Sequence, residues 1–382
     1  MSQPLYNLSP VLHIMLMGVV VALGPLSWLW LRDKRAVPAR RLQALTLLVL
    51  FLTFDLVLFG AFTRLTDSGL GCPDWPGCYG QASPTGAHGQ IEQAQSAMPT
   101  GPVTHQKAWI EMIHRYLATA VGVLILTLTA GTWVLRRRGA AVSPWWPAVT
   151  LLWVSLQGAL GAWTVTMKLF PAVVTMHLLA GLVLLALLCR QAVAYEHAQQ
   201  GRASVAVPSA LRAWLWLAAA LVWLQAALGG WVSTNYAVLA CSQFPACQGS
   251  WWPPMDFRQG FELWRELGLT AAGEHIGFAA LTAIHYAHRL AAYVVLVVLA
   301  VAAWQLGRVA ALRRQARLLA VLALWQLASG VSNVVLDWPL AVAVAHTGGA
   351  AALVLVLTWA LGETRRRAAA PQARARVRER SA

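Results

Sequence analysis

Along this chain, runs of about 20 apolar residues alternate with short polar breaks, a period set by the membrane: a helix needs about 20 residues to cross a hydrocarbon core roughly 30 Å thick. Nine such runs occur, near 11–31, 42–63, 112–135, 145–167, 172–190, 213–234, 284–306, 318–336 and 338–361. The first follows "MSQPLYNLSP", which has no basic segment, and it is too long for the apolar part of a signal peptide. It is read as a retained span. The pattern predicts an all-α polytopic membrane protein.

Composition excludes the soluble alternative, because 58% of residues are apolar and only 11% charged. The positive charges fix an orientation. "RDKRAVPARR" (32–41), "RRR" (136–138), Arg190, Arg202 and Arg212, "RVAALRRQAR" (308–317) and the Arg-rich tail fall on alternate loops. By the positive-inside rule these loops and the C-terminus face the cytoplasm, while loops 64–111 and 235–283 and the N-terminus lie outside. Anionic lipid then accounts for the net charge of +15, and no nucleic-acid partner is needed.

Two of the non-cytoplasmic loops carry matched cysteines, "GCPDWPGC" (71–78) and "CSQFPAC" (241–247). Disulfides form and persist on that side, so Cys72 with Cys78 and Cys241 with Cys247 are expected to be bridged. A metal site on the cysteines is the competing reading, but neither cysteine turn shows the tight C-x2-C pairs or the histidine partners that a zinc site would want. The spacing does not say whether the bridges pin loops or exchange electrons. Cys189, alone near a span end, reads as a small buried apolar residue.

The cysteine turns belong to a wider duplication. "EMIHRYLATAVGVLIL" (111–126) parallels "HYAHRLAAYVVLVVL" (285–299), and "VVTMHLLAGLVLL" (173–185) parallels "VAVAHTGGAAALVLV" (342–356). A Gln-x-x-x-Gly element recurs as "QGALG" (157–161), "QAALG" (225–229) and "QLASG" (326–330), with "LVLFG" (56–60) as its apolar counterpart. Close helix packing suffices to explain these small residues. The expected architecture is two parallel four-helix-bundle repeats, 42–194 and 213–361, with an extra N-terminal span and basic loop (1–41), a cytoplasmic linker (195–212) and a basic tail (362–382).

The duplication places His114, His177, His288 and His346 at matching depth, two on different helices of each half. That is the arrangement that holds a flat iron porphyrin between two imidazoles inside a bundle. A lone histidine in a span is as readily a helix–helix hydrogen bonder, but packing gives no reason for imidazole to recur at four matched positions. Arg115 and Arg289 follow two of these histidines and could pair with propionates or snorkel to the interface. His13, His88, His105 and His197 read as ordinary loop or span-end residues, while His275 and His285 stand near the second-half site.

One break in the symmetry is informative. Glu111 precedes His114 by one helical turn, whereas the second half carries His285 at that place. An enzyme with one reacting and one auxiliary site needs such a difference; neutralisation of Arg115 or Lys107 by a carboxylate at the interface is the plainer reading. Asp55, deep in the second span, is anomalous and receives no role.

"GAFTRLTDSGLGCPDWPGC", "EMIHR", the three Gln-x-x-x-Gly segments and the four histidines together resemble the haem A synthase family over residues 42–361. The resemblance implies oxidation of the C8 methyl of haem O to a formyl group, giving haem A for cytochrome c oxidase. It implies haem b on His288 and His346, substrate haem O on His114 and His177, and Glu111 as the functional acid. It further implies a bacterial inner membrane, an unidentified electron donor, and haem O synthase and oxidase assembly as neighbours. The family plan has eight helices, so the span at 11–31 is a departure. A di-haem b electron carrier or a haem exporter would use the same four histidines, but without the asymmetry at Glu111.

Overall fold

The computed structural model describes residues 9–34, 36–140 and 142–366. Residues 1–8 and, of the expected basic tail, 367–382 lie outside the described residues. Among the described residues, nine helices are long and apolar enough to cross a membrane. They are α1 (Ser9–Arg32), α2 (Pro38–Leu65), α4 (His105–Arg137), α5 (Trp145–Thr166), α6 (Pro171–Gln200), α7 (Ser209–Thr234), α9 (Phe278–Gly307), α10 (Arg313–Val335) and α11 (Leu340–Glu363). The protein is a multi-pass membrane protein. Two short helices, α3 (His88–Ala97) and α8 (Phe257–Gly260), lie in the long loops that carry the cysteines.

Several helices run further than their apolar stretch. α4 starts at His105, seven residues before the apolar run, because Thr104 caps it by accepting a hydrogen bond from the Lys107 amide at 3.2 Å. Its first turns are polar, so hydropathy alone missed them. α6 continues to Gln200 and stops at Gly201, whose φ of 60° supplies the left-handed cap. The linker and tail also hold two short strands that periodicity did not show: β1 (Val205–Val207) pairs in parallel with β2 (Thr364–Arg366).

Packing order is the same in the two halves. In the first, α2 contacts α4 and α6, and α5 contacts α4 and α6; in the second, α7 contacts α9 and α11, and α10 contacts α9 and α11. Across the middle the contacts are reciprocal, α11 on α2, α6 on α7, and α6 on α11. Alanine, valine and leucine from α6, α7, α9, α10 and α11 form one buried cluster, and α2, α4 and α6 contribute most of another. The additional helix α1 lies on α4, where Gly18 rests against the Thr119 side chain. Ile14 of α1 is buried with Cys72, Cys78, Met112 and Tyr116, so this helix covers the first cysteine turn.

At the opposite end the halves are clamped by charge. Glu363, nearly fully buried at the end of α11, accepts from Arg202 Nη2 at 2.9 Å and lies 3.1 Å from His197 Nε2. Arg212 adds hydrogen bonds to the Leu361 carbonyl and the Thr364 hydroxyl. His197, an ordinary span-end residue by sequence, is therefore part of this clamp.

Candidate active site

The four histidines occupy equivalent places: His114 on α4, His177 on α6, His288 on α9 and His346 on α11. Each imidazole rests against a glycine of a neighbouring helix. A methyl group built on Gly60 would stand 3.2 Å from His114 Cε1, on Gly161 3.1 Å from His177 Cε1, on Gly229 3.0 Å from His288 Cε1, and on Gly330 3.4 Å from His346 Cε1. These are the glycines that close the four repeated five-residue segments. At the first three, a side chain would force the ring to move.

The glutamines of the same segments bind the histidine backbone. Gln157 donates to the His177 carbonyl at 2.9 Å, Gln225 to that of His288 at 3.0 Å, and Gln326 to that of His346 at 2.9 Å. An Nε2–H group is thus supplied to a carbonyl facing the next helix, in a setting where water is scarce. The Gln-x-x-x-Gly element is a histidine holder as well as a packing surface. Its recurrence was the signal; its partner was invisible without the fold. Leu56 replaces glutamine opposite His114, and there Phe59 stacks on the imidazole with ring centroids 6.1 Å apart.

The two halves part at the second ring nitrogen. In the second half, His346 Nδ1 lies 2.8 Å from Ser329 Oγ and His288 Nδ1 lies 3.1 Å from Gln225 Nε2. In the first, Nδ1 of both His114 and His177 is buried without a hydrogen-bond partner among the described residues.

Arg115 and Arg289 are occupied with the cysteine turns. Arg115 Nη1 donates to the carbonyls of Asp74, Pro76 and Gly77 at 3.1, 3.1 and 2.6 Å. Arg289 Nη1 donates to those of Pro245 and Ala246 at 3.2 and 3.0 Å. Neither of the sequence readings, propionate partner or snorkelling cation, anticipated this. Both cysteine pairs are disulfide-bonded, Cys72 to Cys78 and Cys241 to Cys247. Asp74 Oδ1 and Oδ2 accept from the Tyr79 and Gly80 amides at 2.6 and 2.7 Å, and in the second turn Gln243 Oε1 accepts from Gly249 at 2.8 Å. Gly71 lies directly on the main chain of Lys107 and Ala108, an approach that only glycine allows.

Glu111 joins the first turn to α4. Its Oε2 accepts from the Cys72 amide at 2.7 Å and its Oε1 from Arg115 Nη2 at 2.5 Å, with only 4% of the residue exposed. Lys107 pairs instead with Asp67, at 3.4 Å. His285, the counterpart of Glu111, is buried with Nδ1 3.0 Å from the Ala237 carbonyl, and Arg289 Nη2 is buried without a partner. His275 is exposed in the loop before α9. Asp55 faces outward from the middle of α2, with no hydrogen bond or ion pair among the described residues. Cys189 is buried, with Sγ 3.6 Å from the Leu355 carbonyl.

Comparison with known proteins agrees with this geometry. Residues 43–358 match the family model described as cytochrome oxidase assembly protein, COX15-CtaA. A protein of Shewanella oneidensis named Heme A synthase is 39% identical over 319 residues, covering 81% of this chain and 92% of its own length. A Heme A synthase of Mesorhizobium japonicum is 31% identical over 323 residues, covering 78% and 84%. One of Caulobacter vibrioides is 28% identical over 332 residues, covering 81% and 92%. With the match running from α2 through α11 and so spanning all four histidines and both cysteine turns, the chain belongs to the COX15-CtaA family of cytochrome oxidase assembly proteins.

Proposed function

We propose that this protein is a haem A synthase, a membrane oxidoreductase that converts the C8 methyl of haem O to the formyl group of haem A for cytochrome c oxidase. The observation that carries the reading is the matched set of histidine pairs, each imidazole seated on a glycine of the next helix, in a chain of this family. Two imidazoles in each half are a donor set suited to haem iron, and the Nδ1 atoms of His114 and His177, without a partner among the described residues, are polar atoms with no structural task of their own.

His288 and His346 would hold haem b in the 213–361 unit: Ser329 Oγ, which donates its own proton to the Trp325 carbonyl, can accept from His346 Nδ1–H in the way that outer partners orient a metal-binding imidazole, and Gln225 fixes His288 through its backbone carbonyl. Haem b, when bound, supplies one-electron transfer. His114 and His177 would hold substrate haem O in the 42–194 unit. With no partner on Nδ1 those rings are less firmly oriented, which suits a group that must enter and leave. The electron donor lies outside the chain.

As two hydroxylations with loss of water from the geminal diol, the conversion balances as R–CH3 + 2 O2 + 4 e− + 4 H+ → R–CHO + 3 H2O, with dioxygen the oxidant and the electrons from the external donor. With water adding to a cation at the carbon it balances as R–CH3 + H2O → R–CHO + 4 H+ + 4 e−, the electrons passing to an external acceptor. Glu111 stands one helical turn from His114, held by hydrogen bonds from Arg115 and the Cys72 amide. Each oxygen retains a further acceptor position. Glu111 takes up the proton or balances positive charge at the reacting carbon. The disulfide turn, through Cys72, sets where that carboxylate sits. The alternation of basic loops supports a site near the outer side of a bacterial inner membrane, with the cysteine turns outside.

The deciding experiment is mass analysis of haems extracted from a host that makes haem O but not haem A, with and without this protein. Haem A or its hydroxylated precursor is expected. Haem O unchanged beside co-purified haem b would instead indicate an electron carrier or an exporter.

A further inference from the structure

Away from the four histidines, the described residues bring together another set of metal-ligating side chains. His88 opens α3 and Glu92 follows one turn later on the same face. The chain then doubles back, so that His105, the first residue of α4, meets both. His105 Nε2 lies 3.1 Å from Glu92 Oε2, the two imidazole centroids are 4.6 Å apart edge to face, and one ligand atom from each residue lies within 4.8 Å of the other two. The frame behind them is built: Gln95 Oε1 accepts from the His105 amide at 2.9 Å, and Ile91 of α3 is fully buried against the cysteine turn.

We propose that His88, Glu92 and His105 bind one divalent transition-metal ion of the zinc or copper class. Two imidazoles and a carboxylate are a common ligand set for such ions, and ligand distances of about 2.1 Å put tetrahedral donors about 3.4 Å apart, within reach of small side-chain rotations here. His88 and Glu92 are exposed, which leaves the fourth position to water. Neither histidine stood out in the sequence, because they stand 17 positions apart and only the α3–α4 turn brings them together. The bound ion ties α3 to the first turn of α4, six residues before Glu111 and nine before His114. It therefore stiffens the entry of the helix that carries both. The proposal rests on this cluster alone and stands whatever the reaction.

Tag-free, full-length, haem-loaded protein in detergent, dialysed against a chelator, is titrated with Zn2+ against a chromophoric indicator and with Cu2+ under electron paramagnetic resonance. One equivalent beyond the haem iron is expected, Cu2+ binding more tightly than Zn2+ and showing nitrogen hyperfine coupling. His88→Gln and His105→Ala should each weaken binding about 100-fold or more, since loss of even an outer-shell partner costs 10–100-fold. His275→Ala, which removes an exposed histidine elsewhere on this face, should change nothing. Unaltered haem absorbance in each variant shows that the fold persists. No saturable binding, or binding that survives in the His88→Gln/His105→Ala double variant, overturns the proposal.

Discussion

The two halves share their helix order and histidine-facing glycines, and three of the four matching positions carry glutamine, yet stiffness is placed differently in each. In the second half it surrounds the imidazoles: Gln225 and Ser329 reach Nδ1 of His288 and His346. In the first half those contacts are missing, and Leu56 stands where a glutamine would hold the His114 backbone. The cysteine turns show the reverse. Glu111 ties the first turn to Arg115, while Arg289 keeps one buried Nη2 without a partner. On the function proposed above, a site that keeps its ligand needs fixed imidazoles and a site that turns over needs a fixed acid, and one scaffold would serve both by exchanging a few polar residues.

The largest expected effect separates the histidine pairs. His288→Ala should remove most haem b from the purified protein, as measured by pyridine haemochrome. His114→Ala should retain it and lose haem A formation in the haem O-producing host. Equal loss of resident haem from both variants would erase the distinction between the halves.

Next comes the acid. Glu111→Gln retains the size of the side chain and should lower haem A formation about 10²–10⁴-fold, the usual contribution of a positioned acid or base, with haem binding kept. Glu111→Ala also leaves Arg115 buried without its anion, a change that costs about 3–5 kcal/mol in comparable pairs, so it should also lower the thermal midpoint. A Gln variant with normal product yield would reduce Glu111 to an anchor for the Cys72 turn.

A smaller effect tests the imidazole supports directly. Leu56→Gln imports the second-half residue opposite His114, where one new hydrogen bond is worth about 1 kcal/mol, or about 5-fold in retention of the substrate haem. Ser329→Ala should loosen resident haem by a similar factor. Haem off-rates from the two variants are read by transfer to an apo-globin acceptor. Shifts of the same sign would mean that Nδ1 and backbone contacts do not set retention.

Much of this was legible because the membrane simplifies the code. Helix length follows from one solvent constraint, so the nine spans could be read directly, and the internal repeat marked the four histidines as candidates. What could not be read depends on side chains that meet across helices. Arg115 and Arg289 look like generic span-end cations until the cysteine turns fold over them. Gln157, Gln225 and Gln326 look like packing positions until their carbonyl partners are known. His88 and His105 needed the unpredicted helix α3 to bring them together. β1 and β2 are three residues each, too short for any periodicity to register.

The smallest effect lies where the halves touch on the cysteine-bearing side. Arg64, at the end of α2, donates to the Ser233 carbonyl at 2.5 Å and lies over the Tyr236 ring with Cζ 4.1 Å from its centroid. The Tyr236 hydroxyl donates to Asp67 Oδ1 at 2.5 Å, and Asp67 in turn holds Lys107. This chain runs from the second half through the first to the start of α4. Burial, more than any other cause, pushes the Tyr236 phenol above its ordinary value; the hydrogen bond to Asp67 adds to the rise and Arg64 opposes it. A raised folded value means that the contribution of Tyr236 is whole below the unfolded tyrosine value of about 10 and declines as pH climbs beyond it. Tyr236→Phe should therefore cost about 1 kcal/mol near neutral pH and reduce the fall in stability above pH 10, because the hydrogen bond and the titrating group disappear together. Thermal midpoints of the two proteins from pH 8 to 11 give the answer. Parallel curves would show that the junction is held by the Arg64–Ser233 contact and the stacked ring, leaving the hydroxyl without weight in the contact between the halves.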